Sequence, residues 1–134
     1  MSELDPYNIG SEFWRIVDIA KNEKKLNDLV KDMSDNDLVN FYWSYRFIAA
    51  EPKYERCIEA LNSVEEMTDD YLDEICDWVV AQGKDYYNRF LAEPESMLDT
   101  INFDCPDSVI LSKISKEYND RHDAVMPYIE QFPE

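Results

Sequence analysis

The scarcity of glycine is the feature that most restricts the fold of this chain. Its 134 residues include only two glycines, beside nine tyrosines, six phenylalanines and three tryptophans. All-β folds depend on tight turns, and many of those turns need glycine because only glycine adopts positive φ angles without strain. The composition therefore predicts an all-α protein. At this length, and with 45% hydrophobic residues, we expect a single compact helical domain over residues 1–134.

The hydrophobic periodicity predicts about six or seven helices. Ser11 is the expected N-cap of the first, because apolar residues recur at helical spacing immediately after it. Ser34 and Asp37 resemble a capping box at the start of a third helix. Pro52 is expected to end that helix or to lie in the first turn of the next. Thr68 is the expected N-cap of a fifth helix. In the fourth helix one side is predicted to carry Tyr54, Cys57, Ile58 and Leu61.

Gly83 divides two apolar stretches within residues 76–91, CDWVVAQGKDYYNRFL. It either separates two helices in close succession or lies within one continuous helix. A glycine inside a helix costs about 1 kcal/mol relative to alanine, whereas glycine next to a helix end is common. We therefore predict a break or kink at Gly83, with the continuous helix as the alternative. Pro94 is expected to stop the following helix, and a last helix is expected from Pro106 to about His122.

The charge of the chain restricts its partners. Thirteen basic and thirty acidic residues give a formal net charge of −17 at pH 7, so the chain is expected to repel nucleic acids and anionic membranes. Residues 62–77 contain seven acidic residues and no basic residue. We name them the acidic cluster: Glu65, Glu66, Asp69, Asp70, Asp73, Glu74 and Asp77. The cluster is either a solvated face or a partner-binding surface, and the acids within residues 93–107 are the second choice for that surface.

The residues needed for catalysis or for metal binding are few. His122 is the only histidine, which argues against catalytic triads and against sites that need two imidazoles. Cys57, Cys76 and Cys105 form no CxxC pair, so we expect reduced core thiols and a cytosolic location. Pairs of acids four residues apart leave paired-carboxylate chemistry as an alternative, although thirty acids produce such spacings by chance. We predict no metal and no cofactor.

The sequence has neither a signal peptide nor a membrane span that we recognise. The first residues, MSELDPYNIGSEF, lack a basic start and an apolar run, and no later stretch approaches the roughly 20 apolar residues that cross a bilayer. We therefore expect a soluble protein that is not exported.

Residues 41–50, FYWSYRFIAA, place apolar or aromatic side chains in nearly every direction around a helix. A central helix surrounded on all sides explains this pattern, and an exposed recognition face containing Trp43 and Phe47 is the alternative. Arg46 is expected to pair with a buried acid or to stack on an aromatic ring. These three residues are a candidate second surface.

Residues 73–98, DEICDWVVAQGKDYYNRFLAEPESML, combine an aromatic-rich helix, an AQG segment, a second helix and an Ala-acid-Pro-acid-Ser stretch. This combination resembles the bacterial domain of unknown function family 4240. The first helices, EFWRIVDIAK and LVKDMSDNDLVNFYWSY, also look like that family. The resemblance implies an all-helical domain and transfers no catalytic residue. The residues that carry it are Trp78, Ala81, Gln82, Gly83, Tyr87, Leu91, Ala92, Pro94 and Ser96.

Three functional hypotheses follow from the sequence. The first is a non-enzymatic protein, monomeric or homodimeric, whose acidic cluster binds a basic protein, such as an immunity protein or antitoxin that covers the cleft of a toxin. The second is a small enzyme or ligand-binding domain that uses Arg46, Trp78 and Gln82 at a helix junction. The third is a self-associating structural protein with Trp43 and Phe47 in a dimer face.

Overall fold

The computed structural model describes residues 9–103, 109–125 and 127, and the regular secondary structure of these residues is entirely helical. The predicted all-α fold is confirmed, with eight α-helices in the described ranges where six or seven were expected. Two short 3₁₀ helices, Glu51–Lys53 and Leu98–Thr100, lie between them. The α-helices are α1 (Ser11–Ala20), α2 (Glu23–Asp32), α3 (Asp35–Ala49), α4 (Glu55–Asn62), α5 (Asp69–Ala81), α6 (Lys84–Ala92), α7 (Pro94–Met97) and α8 (Ile110–His122).

The chain divides into two compact units. The first comprises Met1–Phe47 and Val109–Glu134, and the second comprises Ile48–Ser108. Helices α1, α2 and α8 belong to the first unit together with most of α3, whereas α4 to α7 belong to the second. The single domain expected from chain length stays a prediction.

Aromatic packing organises the core of the first unit. The rings of Phe13 and Phe41 stack with their centroids 5.1 Å apart, and the ring of Tyr45 lies edge-on at 6.1 Å from each. All three side chains are buried, and burying one such side chain stabilises a fold by about 1.5–3 kcal/mol. The apolar spacing in the sequence places the remaining core residues on the inner helix faces: Ile16, Val17, Leu26, Val30, Leu38, Ile110 and Ile114.

Gly83 breaks the helix in the second unit, as predicted. Helix α5 ends at Ala81 and α6 begins at Lys84, with Gly83 as the N-cap at φ 105° and ψ 173°. That φ angle is strained for any residue with a Cβ. Beyond the break, the buried hydroxyl of Tyr87 donates a 2.9 Å hydrogen bond to the carbonyl oxygen of Ile48.

The structure tests the predicted helix ends. Thr68 Oγ1 accepts the backbone N–H of Tyr71 at 3.2 Å, and Ser34 Oγ accepts that of Asp37 at 3.1 Å, so both caps are confirmed. Ser11 was wrong as a cap, because it is the first helical residue and Gly10 precedes it without a side-chain hydrogen bond.

The helix boundaries near Pro52 and Pro94 agree with the predictions, but the position of Tyr54 does not. Pro52 lies in the 3₁₀ helix after α3, and Pro94 begins α7, with Glu93 between it and the end of α6. Tyr54 was wrongly predicted to lie within the fourth helix, on the side of Cys57: it precedes α4 as its N-cap and is 63% exposed. Helix α8 ends at His122 as expected, whereas its predicted start at Pro106 lies outside the described residues.

Candidate functional site

The acidic cluster occupies the start of α5 and the connection before it. Thr68 caps the helix, and Asp69 and Asp70 fill its first turn, where the helix dipole favours negative charge. At about 100° per residue, the five acids of α5 fall within an arc of about 140° beside the buried face of the helix. Asp73 and Asp77 are half-buried, and the other five members of the cluster are exposed.

Lys53 and Tyr71 contact members of the cluster. Lys53 forms an ion pair with Asp73. The hydroxyl of Tyr71 lies 3.1 Å from Glu65 Oε2 and 2.7 Å from the carbonyl oxygen of Phe103. Because a hydroxyl has one proton, we assign its hydrogen bond to the nearer carbonyl oxygen. Within the described ranges, the following four carboxylates form no ion pair: Glu66, Asp69, Asp70 and Glu74.

Like charges concentrate around the cluster. The second unit has sixteen acidic and four basic residues, so it carries −12 of the total charge of −17. Acids four residues apart on a helix, such as Asp69 and Asp73, destabilise it by about 0.2–0.5 kcal/mol for each pair. A cationic partner would remove that repulsion, since the carboxylates then face positive charge.

The acids that were the second choice for a binding surface are more dispersed. Glu93, Glu95 and Asp99 are exposed, and the two remaining acids, at 104 and 107, lie outside the described residues. Arg56 binds Glu95 in a fork, with Nε–Oε1 at 3.3 Å and Nη2–Oε2 at 3.2 Å. The hydrogen bond from Arg56 lowers the pKa of Glu95. This segment therefore offers less unpaired charge than α5.

The candidate second surface lies on α3 and is half-buried. The rings of Trp43 and Phe47 have centroids 6.2 Å apart, and Trp43 Nε1 donates a 2.8 Å hydrogen bond to the carbonyl oxygen of Pro127. The expected pairing of Arg46 with a buried acid is not found among the described residues, where its half-buried side chain forms no ion pair. The opposite side of α3, with Phe41 and Tyr45, is fully buried.

Comparison with known proteins identifies the family of the chain. The family described as "Protein of unknown function (DUF4240)" matches residues 10–123. The chain belongs to the DUF4240 family. No curated protein matches it, and no solved structure matches it either.

In this DUF4240 protein the AQG segment forms the helix break: Ala81 ends α5, Gln82 is its C-cap and Gly83 carries the positive φ angle. Trp78 packs edge-on against Tyr86, and its carbonyl oxygen accepts from Gln82 Nε2 at 3.1 Å.

The described part of this DUF4240 chain gathers no three His, Cys, Asp or Glu residues in a position to hold a metal ion. Cys57 and Cys76 are free, buried thiols, as predicted, and burial raises the pKa of Cys76 to about 12. Such a thiol is protonated at neutral pH and is a poor nucleophile. None of the described helices combines the length and the apolar character that crossing a bilayer needs.

Arg121 binds five acceptors among the described residues of the first unit, and sequence reasoning missed it. Its guanidinium donates to the carbonyl oxygens of Met33 at 2.7 Å, Lys31 at 3.0 Å and Val30 at 3.2 Å. These carbonyls are at the C-terminal end of α2, where helices leave acceptors unpaired. Arg121 also binds two carboxylates, those of Glu117 at 2.7 Å and Asp35 at 3.1 Å.

His122 extends this network. Its Nε2 lies 3.1 Å from Asp35 Oδ2, and its ring centroid lies 4.5 Å from that of Tyr118. No local pattern could have revealed the network, because Arg121 and His122 lie about 90 residues after Val30 and Asp35 in the sequence.

Proposed function

We propose that this DUF4240 chain is a non-enzymatic protein-binding module whose acidic cluster captures a basic protein. In its most specific form the partner is a toxin, such as a nuclease, and the chain is the immunity protein or antitoxin that covers the toxin's cationic cleft. We expect the partner to be basic. The cleft of a nuclease holds a polyanion and therefore presents lysines and arginines, which the acidic cluster would neutralise.

One observation carries the proposal. Glu66 lies just before α5, and Asp69, Asp70 and Glu74 lie in its first two turns. All four are exposed, and none forms an ion pair within the described residues. Several adjacent carboxylates without cations produce a negative potential that accelerates the association of an oppositely charged protein. The fixed helix supports the proposal further, because a rigid surface loses little entropy when it binds.

A charge-matched pair of variants tests the proposal. The cluster variant carries Glu66→Gln, Asp69→Asn, Asp70→Asn and Glu74→Gln. The control variant carries four exposed substitutions elsewhere, Asp28→Asn, Asp32→Asn, Asp85→Asn and Asp123→Asn, so both variants have a net charge of −13. Each is used with the native chain to capture proteins from native lysate at about 50 mM salt, where electrostatic attraction is little screened.

We expect the native chain and the control variant to capture the same basic protein, to inhibit its activity at a one-to-one ratio, and to release it at high salt. The cluster variant is expected to lose both capture and inhibition. Equal capture by all three chains would contradict the proposal, as would a captured protein that is acidic or is not inhibited.

Self-association is the second candidate function, favoured by the half-exposed rings of Trp43 and Phe47 on α3. In this case the native chain would have the mass of a dimer, and Trp43→Ala would yield a folded monomer. A native chain that stays monomeric at high concentration would exclude the dimer.

A further inference from the structure

A cavity of about 370 Å³ lies between α2 and α8 in the first unit. Asn27 and Lys31 line it from α2, and Lys113, Lys116, Glu117 and Asp120 line it from α8. Its volume is at the lower end of the range for pockets that hold small ligands, about 300–1,000 Å³. Its polar lining differs from that of an apolar ligand pocket and suits a charged ligand.

The positive charge of this cavity exceeds its negative charge. The lining contains three lysines and two carboxylates. Glu117 accepts a 2.7 Å hydrogen bond from Arg121 Nε, and Asp120 lies 2.8 Å from Lys116 Nζ. A lining with more lysines than carboxylates is unexpected on a chain of net charge −17, and a bound anion would account for it.

The other two lysines are weakly compensated. Lys113 Nζ lies 3.6 Å from Glu23 Oε1, and the Glu23 side chain is 75% exposed, so this pair contributes little. Lys31 forms no ion pair with any described residue. Both ammonium groups are therefore available to a ligand at small energetic cost.

Arg121 holds the walls of the cavity in place. It binds the carbonyl oxygens of Val30 and Lys31 on α2 at 3.2 and 3.0 Å, while it also binds Glu117 on its own helix. The two helices that supply the lysines are thus tied together beside the cavity. A site whose walls are already fixed loses less conformational entropy when a ligand binds.

We propose that this cavity binds a small phosphate-bearing anion with at least two negative charges. Lys31, Lys113 and Lys116 would neutralise its oxygens as point charges, and the Asn27 amide would donate a hydrogen bond. A multivalent anion is required because it must compete with Asp120 for Lys116. At physiological ionic strength the screening length of about 8 Å limits repulsion by more distant acids. This site is separate from the acidic cluster, and its test does not depend on the proposed function.

Calorimetric titration of the full chain with sodium pyrophosphate tests the site. We expect saturable binding of one equivalent. The double variant Lys31→Gln/Lys113→Gln is expected to weaken binding at least about tenfold. The control Lys24→Gln/Lys84→Gln removes two exposed lysines outside the cavity and has the same net charge, so its affinity should stay within about twofold of the native value.

Lys31→Gln alone keeps the test valid if the double variant does not fold, because Lys31 forms no ion pair that the substitution could break among the described residues. It is expected to weaken binding about threefold. The absence of saturable binding to the native chain would overturn the proposal. Equal weakening by the cavity and control variants would also overturn it, since the effect would then come from total charge.

Discussion

Replacing Arg121 with alanine should destabilise the protein far more than a typical surface substitution. The change removes hydrogen bonds to three backbone carbonyl oxygens and two carboxylates. A hydrogen bond to a charged group contributes about 1.5–3 kcal/mol when it is buried. The Arg121 side chain is 24% exposed, and water can reach the released acceptors. We therefore expect a total loss of about 2–3 kcal/mol in the free energy of unfolding.

Urea unfolding followed by tryptophan fluorescence measures this loss. Arg56→Ala is the matched control, because Arg56 also binds a carboxylate through two hydrogen bonds but is 60% exposed. Its loss should be close to the error of the measurement. Arg121→Lys should recover only a minor part of the loss. A single ammonium group cannot bind at once all the acceptors that the planar guanidinium binds. Equal stability of Arg121→Ala and Arg56→Ala would refute the reasoning.

Three further perturbations follow from the structure. Gly83→Ala should lower the free energy of unfolding by at least about 1–2 kcal/mol, because φ is 105° there. Gly10→Ala should cost less, since φ is −122° there and an added Cβ meets no atom within 4 Å, and equal effects in thermal unfolding would contradict the strain argument. The pKa of Asp35 is lowered, first by the hydrogen bond to the neighbouring imidazole and then by that to the guanidinium. The native chain should therefore exceed Asp35→Asn in stability above pH 3.8 and lose the difference as pH falls further; a difference constant between pH 2 and 7 would rule this out. Finally, in a chain whose third cysteine is replaced by serine, Cys57 and Cys76 should react with a thiol reagent only after unfolding, because both are buried and protonated; rapid labelling of the folded chain would show the thiols to be accessible.

The features that the sequence predicted correctly depend on nearby residues. The caps at Ser34 and Thr68 each bind a backbone N–H three residues later, so the pattern that identifies them contains both partners. The break at Gly83 follows from the conformational freedom of one residue. The helical class itself followed from composition and periodicity, which average over many positions.

The features that the sequence did not reveal depend on residues far apart in the chain. Arg121 binds acceptors about 90 positions earlier, and the lysines of the cavity come from two helices that are separated by most of the sequence. Tyr54 was included in the fourth helix because it lies at helical spacing from Cys57 and Ile58, whereas it precedes α4 as its N-cap. The acidic cluster was identified from composition, but only the structure distinguishes Asp73, which has a lysine partner, from Asp69, Asp70 and Glu74, which form no ion pair with a described residue.

The most direct test of the central claim is to map the surface of the chain that its captured partner covers. At 15.9 kDa the protein suits amide chemical-shift mapping by nuclear magnetic resonance, with the unlabelled basic partner added to one equivalent. The account predicts that the largest changes fall on residues 65–77. Changes centred on Trp43 and Phe47, with residues 65–77 unaffected, would contradict it.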